Sequence, residues 1–169
     1  MGTKSLLIVF SYHHKNTAKI ADAFAQVLDA EIQKPHRIDP AELVQYDLVG
    51  FGSGIYSDQH HKTLLDLAEK LPPVSGKQAF LFSTSGAPGF ALDGGHVDYV
   101  EKAHAPLRDK LQSKGYTIVG EFMCPGHNTN SLLKLLGGIN KGRPNAQDLE
   151  RAKAFARKLG QRVFGSPAG

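Results

Sequence analysis

Seven consecutive residues near the start of the chain combine side chains that bind anions. They include hydroxyls, an amide, a lysine and two imidazoles, in the order Ser11, Tyr12, His13, His14, Lys15, Asn16 and Thr17. The apolar run at residues 5–10 predicts a buried strand before them, and apolar residues at three- and four-residue steps from Ile20 onward predict a helix after them. Unpaired backbone N–H groups and the positive end of the helix dipole therefore meet this loop. That combination predicts a phosphate site.

Two further apolar strands run into polar stretches that contain glycine, which permits the positive φ angles of a tight ligand loop. Residues 46–52 lead into Ser53, Gly54, Ile55 and Tyr56. Residues 78–83 lead into Thr84, Ser85, Gly86, Ala87, Pro88, Gly89 and Phe90. The carboxyl ends of parallel strands lie at one edge of a sheet, so we expect these loops to meet the first one there.

Five predicted strands alternate with helices, which indicates an α/β fold of three layers with a doubly wound, five-stranded parallel sheet. Residues 30–39, which contain Pro35, read as an edge strand, residues 116–122 as the fifth strand, and residues 146–164 as the last helix with Asn145 as its cap. The first loop has no glycine, unlike a Rossmann G-x-G-x-x-G turn. We therefore predict the order 2-1-3-4-5, with a ligand crevice between strands one and three.

Size and composition indicate one domain over residues 1–169 of an ordinary globular chain with 41% hydrophobic and 21% charged residues. The chain shows no apolar run long enough to span a bilayer, and its one cysteine fits the cytoplasm. A formal charge of +4 favours an acidic partner. We expect neither a nucleic-acid nor a membrane partner, and a homodimer is possible.

Over essentially its full length the chain resembles the short-chain flavodoxins. Ser11, Asn16 and Thr17 match the ends of the family's S-x-T-G-x-T loop, while residues 13–15 replace its central Thr-Gly. The resemblance implies an FMN cofactor, a redox partner protein and electron transfer. It assigns the phosphate of FMN to Ser11, His13, His14, Lys15, Asn16 and Thr17.

The same resemblance implies that the later two loops hold the isoalloxazine ring. It assigns the ring to Ser53, Gly54, Ile55, Tyr56, Thr84, Ser85, Gly86, Ala87, Pro88 and Phe90. Tyr56 is the first choice for the stacking residue and Phe90 the second. Backbone groups near the flavin N5 tune its potential, so Gly54 and Gly86 are candidates for that contact.

Other functions remain open at this point. The long segment 123–144 and Tyr56 would give an FMN-dependent NAD(P)H or quinone reductase its substrate pocket, with Cys124 and His127 near the ring. A cofactor-free binding module on the same fold is the third alternative. No catalytic constellation is predicted, and the pairs His13-His14 and His60-His61 have no partners at metal-ligand spacing. A receiver domain would need acidic residues where Ser11 and Ser53 stand.

Overall fold

A central sheet carries helices on both faces in the computed structural model, which describes residues 3–12, 14–86, 97–127, 138 and 140–165. The strands are β1 (Ser5–Phe10), β2 (Glu31–Gln33), β3 (Leu48–Tyr56), β4 (Gln59–His60), β5 (Gln78–Ser85) and β6 (Thr117–Pro125). The α-helices are α1 (Asn16–Leu28), α2 (Lys62–Lys70), α3 (Val97–Ser113) and α4 (Ala146–Phe164), with 3₁₀ turns at Pro35–Arg37 and Pro40–Gln45. Four predicted ligand residues, His13, Ala87, Pro88 and Phe90, lie outside the described residues.

The parallel strands are ordered β2-β1-β3-β5-β6, and β4 pairs antiparallel with the end of β3. This confirms the predicted order 2-1-3-4-5 for the five parallel strands. The short β4 was not predicted. It folds back through Ser57 and Asp58, whose φ angles of 50° and 59° make a two-residue hairpin turn without the glycine that usually marks one.

Several predicted boundaries were wrong, because strand pairing requires backbone groups rather than apolar side chains. β3 continues to Tyr56, β5 to Ser85 and β6 to Pro125, so much of the predicted loop sequence is strand. The predicted edge strand is only Glu31–Gln33 and gives way to a 3₁₀ turn that begins at Pro35. The last helix begins as predicted, since Asn145 and Asp148 form a capping box.

One face of the sheet is filled by aromatic side chains under α1 and α4. The ring of Phe24 meets Phe80, Phe82 and Phe122 edge-on at centroid distances of 5.6, 5.0 and 5.5 Å. Edge-to-face contact is a favoured geometry for aromatic rings. Gly52 is required here, since a Cβ at that position would lie 2.1–2.5 Å from the Phe82 ring.

The other face, under α2 and α3, is aliphatic over most of its area. Its buried residues include Leu6, Ile8, Val49, Phe51, Leu64, Leu81, Leu107 and Leu111. Towards the carboxyl edge of the sheet the same face carries buried Ser53, Ser83 and His104. In the described ranges, no helix combines the length and apolarity needed to cross a membrane.

Candidate functional site

The first loop adopts the left-handed backbone that a glycine usually supplies. His14 and Lys15 have φ angles of 51° and 53°, and Lys15 directly precedes α1 as its N-cap residue. A left-handed lysine is uncommon and costs conformational energy, so the surrounding fold must impose it. Strain of this kind is concentrated at functional sites.

The amino end of α1 keeps much of its capacity for an anion. Lys15 makes no side-chain cap bond, and the first turn has no acidic residue. Ser11 Oγ accepts the N–H of Ala18 at 3.3 Å, which uses one of the exposed backbone donors. Among the described residues, no acceptor is found for the backbone N–H groups of Asn16 and Thr17. These donors and the helix dipole would stabilise a negative charge.

Two hydrogen bonds connect this helix end to neighbouring strands. Thr17 Oγ1 lies 2.8 Å from Thr84 Oγ1 at the end of β5, in a buried contact. Asn16 Nδ2 donates to the carbonyl of His127, just beyond β6, at 3.0 Å. The imidazole of His127 lies 4.5 Å from that of His14, centroid to centroid. The first loop and the ends of β5 and β6 therefore meet at one point. Of these contacts, the sequence predicted the one between the first loop and β5.

Aromatic rings surround a second part of this edge. Phe10 stacks on His61 at 3.7 Å with an interplanar angle of 11°, and Tyr56 meets His61 edge-on at 5.2 Å. Together with Tyr12 they line a cavity of about 240 Å³. Tyr12 is 72% exposed, so the cavity is open to a ligand. Sequence reasoning chose Tyr56 but missed Phe10, which it assigned to a buried strand, and the role of His61.

Burial changes the acid–base properties of two of these rings. It raises the pKa of Tyr56 above its ordinary value, so the phenol stays protonated at neutral pH. Burial also lowers the pKa of His61, although the nearby Asp66 acts in the opposite direction. His61 Nδ1 accepts the N–H of Thr63 at the start of α2, which leaves its proton on Nε2 in the neutral ring.

Some predicted ligand residues are held inside the protein. The hydroxyl of Ser53 donates to the carbonyl of Gly54 at 2.7 Å and accepts the N–H of His61 at 2.9 Å, and Ser53 is fully buried. Ser85 Oγ lies 3.2 Å from the Tyr99 hydroxyl of α3. These side chains fix the strand ends, while the half-buried Gly54, Ile55, Tyr56 and Gly86 line the edge.

The pair His60-His61 does not form a metal centre in the described part of the chain, and His13 of the other pair lies outside that part. No cluster of three or more His, Cys, Asp or Glu side chains suited to a metal occurs there. His60 is 1% exposed and bonds to the carbonyl of Phe82, so it is neither an exposed basic residue nor accessible to a phosphate. Cys124 is also fully buried.

A sequence model of the flavodoxin domain matches residues 7–120 of this chain. The chain belongs to the flavodoxin family. An uncharacterized protein of Methanocaldococcus jannaschii is 43% identical over 156 residues, which cover 92% of this chain and 97% of that protein.

Solved flavodoxin structures have the same fold. Oxidised flavodoxin 2 from Bacillus cereus is similar with a TM-score of 0.66 and 19% identity, covering 95% of this chain and 99% of its own. A flavodoxin from Streptococcus pneumoniae gives a TM-score of 0.65 at 20% identity, covering 94% of this chain and 99% of its own. At these identities the likeness concerns the fold, and it confirms the flavodoxin-like architecture.

Proposed function

We propose that this protein binds FMN at the carboxyl edge of its sheet and transfers electrons between partner proteins. The observation that carries the proposal is the 2.8 Å contact between Thr17 and Thr84. It joins the phosphate-type loop at the start of α1 to the end of β5, beside the switch point between β1 and β3. A phosphorylated ligand with a flat ring needs both regions within its own length.

The first loop fits the phosphate of FMN. The backbone N–H groups at the start of α1 point to a site with no acidic residue in the first helical turn. Lys15 adds a positive charge on a residue that is already exposed and left-handed. A phosphate there would accept charge-assisted hydrogen bonds and would be stabilised by the helix dipole.

A buried polar atom fits the hydroxylated chain of FMN. Asn16 uses its Nδ2 on the His127 carbonyl, while its Oδ1 is buried and finds no hydrogen-bond partner among the described residues. A buried acceptor without a donor costs about 1–3 kcal/mol. A ligand hydroxyl that donates to Oδ1 would remove that cost.

The aromatic cavity fits the ring. Phe10, Tyr12, Tyr56 and His61 offer apolar faces and polar edges around a space of about 240 Å³. When bound, FMN supplies the redox chemistry, because its ring accepts and releases electrons. The residues of this chain bind the ring, orient it and exclude water from the part that they cover.

The electrostatics support an acidic protein as the redox partner. The chain has 20 Lys and Arg residues against 16 Asp and Glu residues. Complementary charge raises the rate of encounter and sets the orientation of a transient complex. A second copy of this basic chain is less favoured as the electron acceptor for the same reason.

The first test is the absorption spectrum of the purified protein, with the released flavin identified. A yellow protein that releases FMN supports the proposal, and a colourless protein that does not bind added FMN leaves the cofactor-free module. The carrier is separated from a reductase by turnover. Steady oxidation of NAD(P)H in the presence of a quinone would replace the carrier with the reductase.

A matched pair of variants tests the phosphate assignment. We expect Lys15→Gln to weaken FMN binding on the order of tenfold, since it removes a charge-assisted contact. Its affinity for riboflavin, which lacks the phosphate, should stay unchanged. Lys19→Gln removes an exposed charge on the next turn of α1 and serves as the control. Equal effects of the two substitutions would mean that only general charge matters.

A further inference from the structure

A pair of buried imidazoles lies behind the aromatic cavity. His60 ends β4, and His104 lies in the middle of α3. Their relative exposures are 1% and 0%, and their ring centroids are 4.6 Å apart at an angle of 48°. Histidine is a polar side chain, and complete burial of two of them in contact is unusual for a core.

The contacts of His60 fix its tautomer. Its Nε2 lies 3.1 Å from the carbonyl oxygen of Phe82, which can only accept, so Nε2 carries the hydrogen. Nδ1 is therefore an acceptor, and it is buried with no partner among the described residues. Burial, and after it the neighbouring His104, lowers the pKa of His60 to about 3, so the ring is neutral at physiological pH.

His104 connects α3 to two strands. Its Nε2 lies 2.7 Å from Ser83 Oγ on β5, and its Nδ1 lies 3.3 Å from Glu121 Oε1 on β6. Arg108 Nε lies 3.6 Å from the same oxygen of Glu121. The Nδ1–H group can donate to the carboxylate, so the two contacts of one imidazole join α3 to both strands.

Ser83, His104 and Glu121 are connected by hydrogen bonds in the way that the serine, histidine and acid of a hydrolase triad are. Their position in the fold excludes that catalytic role. Ser83 is fully buried in the interior of β5, with neighbouring strands on both sides. A nucleophile needs an open face where a substrate carbonyl can approach. These hydrogen bonds therefore have a structural role and not a catalytic one.

Stability alone does not account for these polar groups. The rest of this face is filled with leucine, isoleucine and phenylalanine side chains. Replacing a buried polar pair by apolar groups of the same shape is often neutral or stabilising, and the orphaned Nδ1 of His60 is a direct cost. The directional bonds do give one benefit, since they fix the relative position of the elements that they join.

Those elements reach the carboxyl edge of the sheet at which the candidate ring site lies, and one of them, the β3–β4 hairpin, carries the cavity residue Tyr56. His60 belongs to the hairpin that carries Tyr56, because Tyr56 pairs with Gln59 directly before it. His104 belongs to the helix whose Tyr99 bonds to Ser85 at the end of β5. The β3–β4 hairpin and the end of β5 are thus linked through the contact between His60 and His104.

We propose that His60 and His104 are positioning residues that set the distance between the β3–β4 hairpin and the end of β5, and with it the grip on a flat aromatic ring. The inference rests on the proposed function, because the ring in question is that of FMN. It assigns to the pair a contribution to ring binding that is independent of the phosphate loop.

The test compares FMN with riboflavin on His104→Leu. Both ligands have the ring and only FMN has the phosphate, so loss of positioning should weaken both by the same factor, on the order of tenfold. Phe155→Leu, on α4 and packed against the opposite face, is the control for general loosening. It should lower the melting temperature and leave both affinities within about twofold of the wild type.

Two milder variants test the same inference if His104→Leu does not fold. Ser83→Ala removes one hydroxyl, and His104→Gln keeps an amide that can accept from Ser83 or donate to Glu121. We expect a smaller, again equal, loss for Ser83→Ala and partial recovery for His104→Gln relative to Leu. The midpoint potential of bound FMN should also shift in Ser83→Ala and stay fixed in Phe155→Leu.

Two results overturn the inference while the proposed function stands. One is wild-type affinity for both ligands in Ser83→Ala and in a folded His104 variant, and the other is weaker FMN binding with riboflavin binding unchanged. A wild-type protein that binds neither ligand overturns the proposed function itself, and the inference with it.

Discussion

The two faces of the sheet are packed with different kinds of side chain. Under α1 and α4, aromatic rings meet at centroid distances of 5.0–5.6 Å around Phe24, and Thr17 meets Thr84 in a buried polar contact at the carboxyl edge. Under α2 and α3, the aliphatic core ends in a buried chain of polar groups that includes His60, Ser83 and His104.

The difference indicates a division of labour between stability and placement. Apolar packing is strong but has little direction, so one arrangement of rings can relax into another. Hydrogen bonds in a buried network contribute less net free energy but impose distances and angles. The face with the polar network is also the face that carries the hairpin of the candidate ring site.

The largest effect is expected on the aromatic face. Phe24→Ala should lower the free energy of unfolding by about 3–5 kcal/mol, because a fully buried ring leaves a cavity between three other rings. Urea denaturation followed by circular dichroism measures the loss. A loss below about 1 kcal/mol would mean that this face collapses around the gap and is not the face that supplies most of the packing stability.

The polar face should give the molecule a pH dependence. The folded-state pKa of His60 is about 3, below the ordinary value of 6.5, so the unfolded chain binds the extra proton. The contribution of His60 to the free energy of unfolding is therefore complete above pH 6.5 and is lost as the pH decreases towards 3. Between pH 7 and pH 5 we expect a loss of about 2 kcal/mol from this group.

Urea midpoints at pH 7 and pH 5 test this origin. The loss should disappear in His60→Leu and persist in His36→Gln, where the histidine is exposed on a 3₁₀ turn. An unchanged pH dependence in His60→Leu would show that another group titrates over this range.

A smaller effect is expected where α1 meets β5. Thr17→Val leaves the buried Thr84 hydroxyl without its partner, and Thr84→Val does the converse. A double-mutant cycle should give a coupling energy of about 1 kcal/mol, since the double variant removes both polar groups together. Additive losses would mean that the two hydroxyls do not bond in solution.

The smallest effect is expected on the outer surface of α2. Lys62 and Asp66 form an exposed ion pair one helical turn apart. Exposed pairs are screened by water and salt, so Lys62→Ala should leave the urea midpoint unchanged within error. A clear shift would mean that surface charge also stabilises this face, so that the two faces differ less than their buried residues indicate.

Sequence reasoning succeeded where a local pattern is enough. The run before Ser11 and the periodicity after Ile20 predicted β1 and α1, and the polar residues between them are indeed the loop at the carboxyl edge. The glycine-free first loop directed the topology towards the order that the structure shows. The prediction from sequence was wrong at the strand ends, because Ser53, Thr84 and Ser85 are polar residues typical of loops and yet pair within strands.

The dipeptide His60-His61 shows why the rest of the site was out of reach. The two histidines have different environments. His60 is buried against Phe82 and His104, whereas His61 stacks on Phe10 at the cavity. Successive residues of an extended chain point to opposite sides, and the sequence gives no sign of the hairpin that sets which side is which. His104 and Glu121 likewise have no local signal, because each would be an ordinary charged or polar residue on a helix or strand.

The amino-acid sequence by itself determined the alternation of strands and helices, the order of the parallel strands and the polar loop between β1 and α1. Hydrophobic periodicity and the chemistry of helix ends are local properties, so they can be read along the chain. The tertiary structure alone decided that Phe10, Tyr56 and His61 share a cavity and that His60 meets His104. Those contacts join residues distant in sequence, and they exist only when the sheet, the hairpin and α3 are packed together.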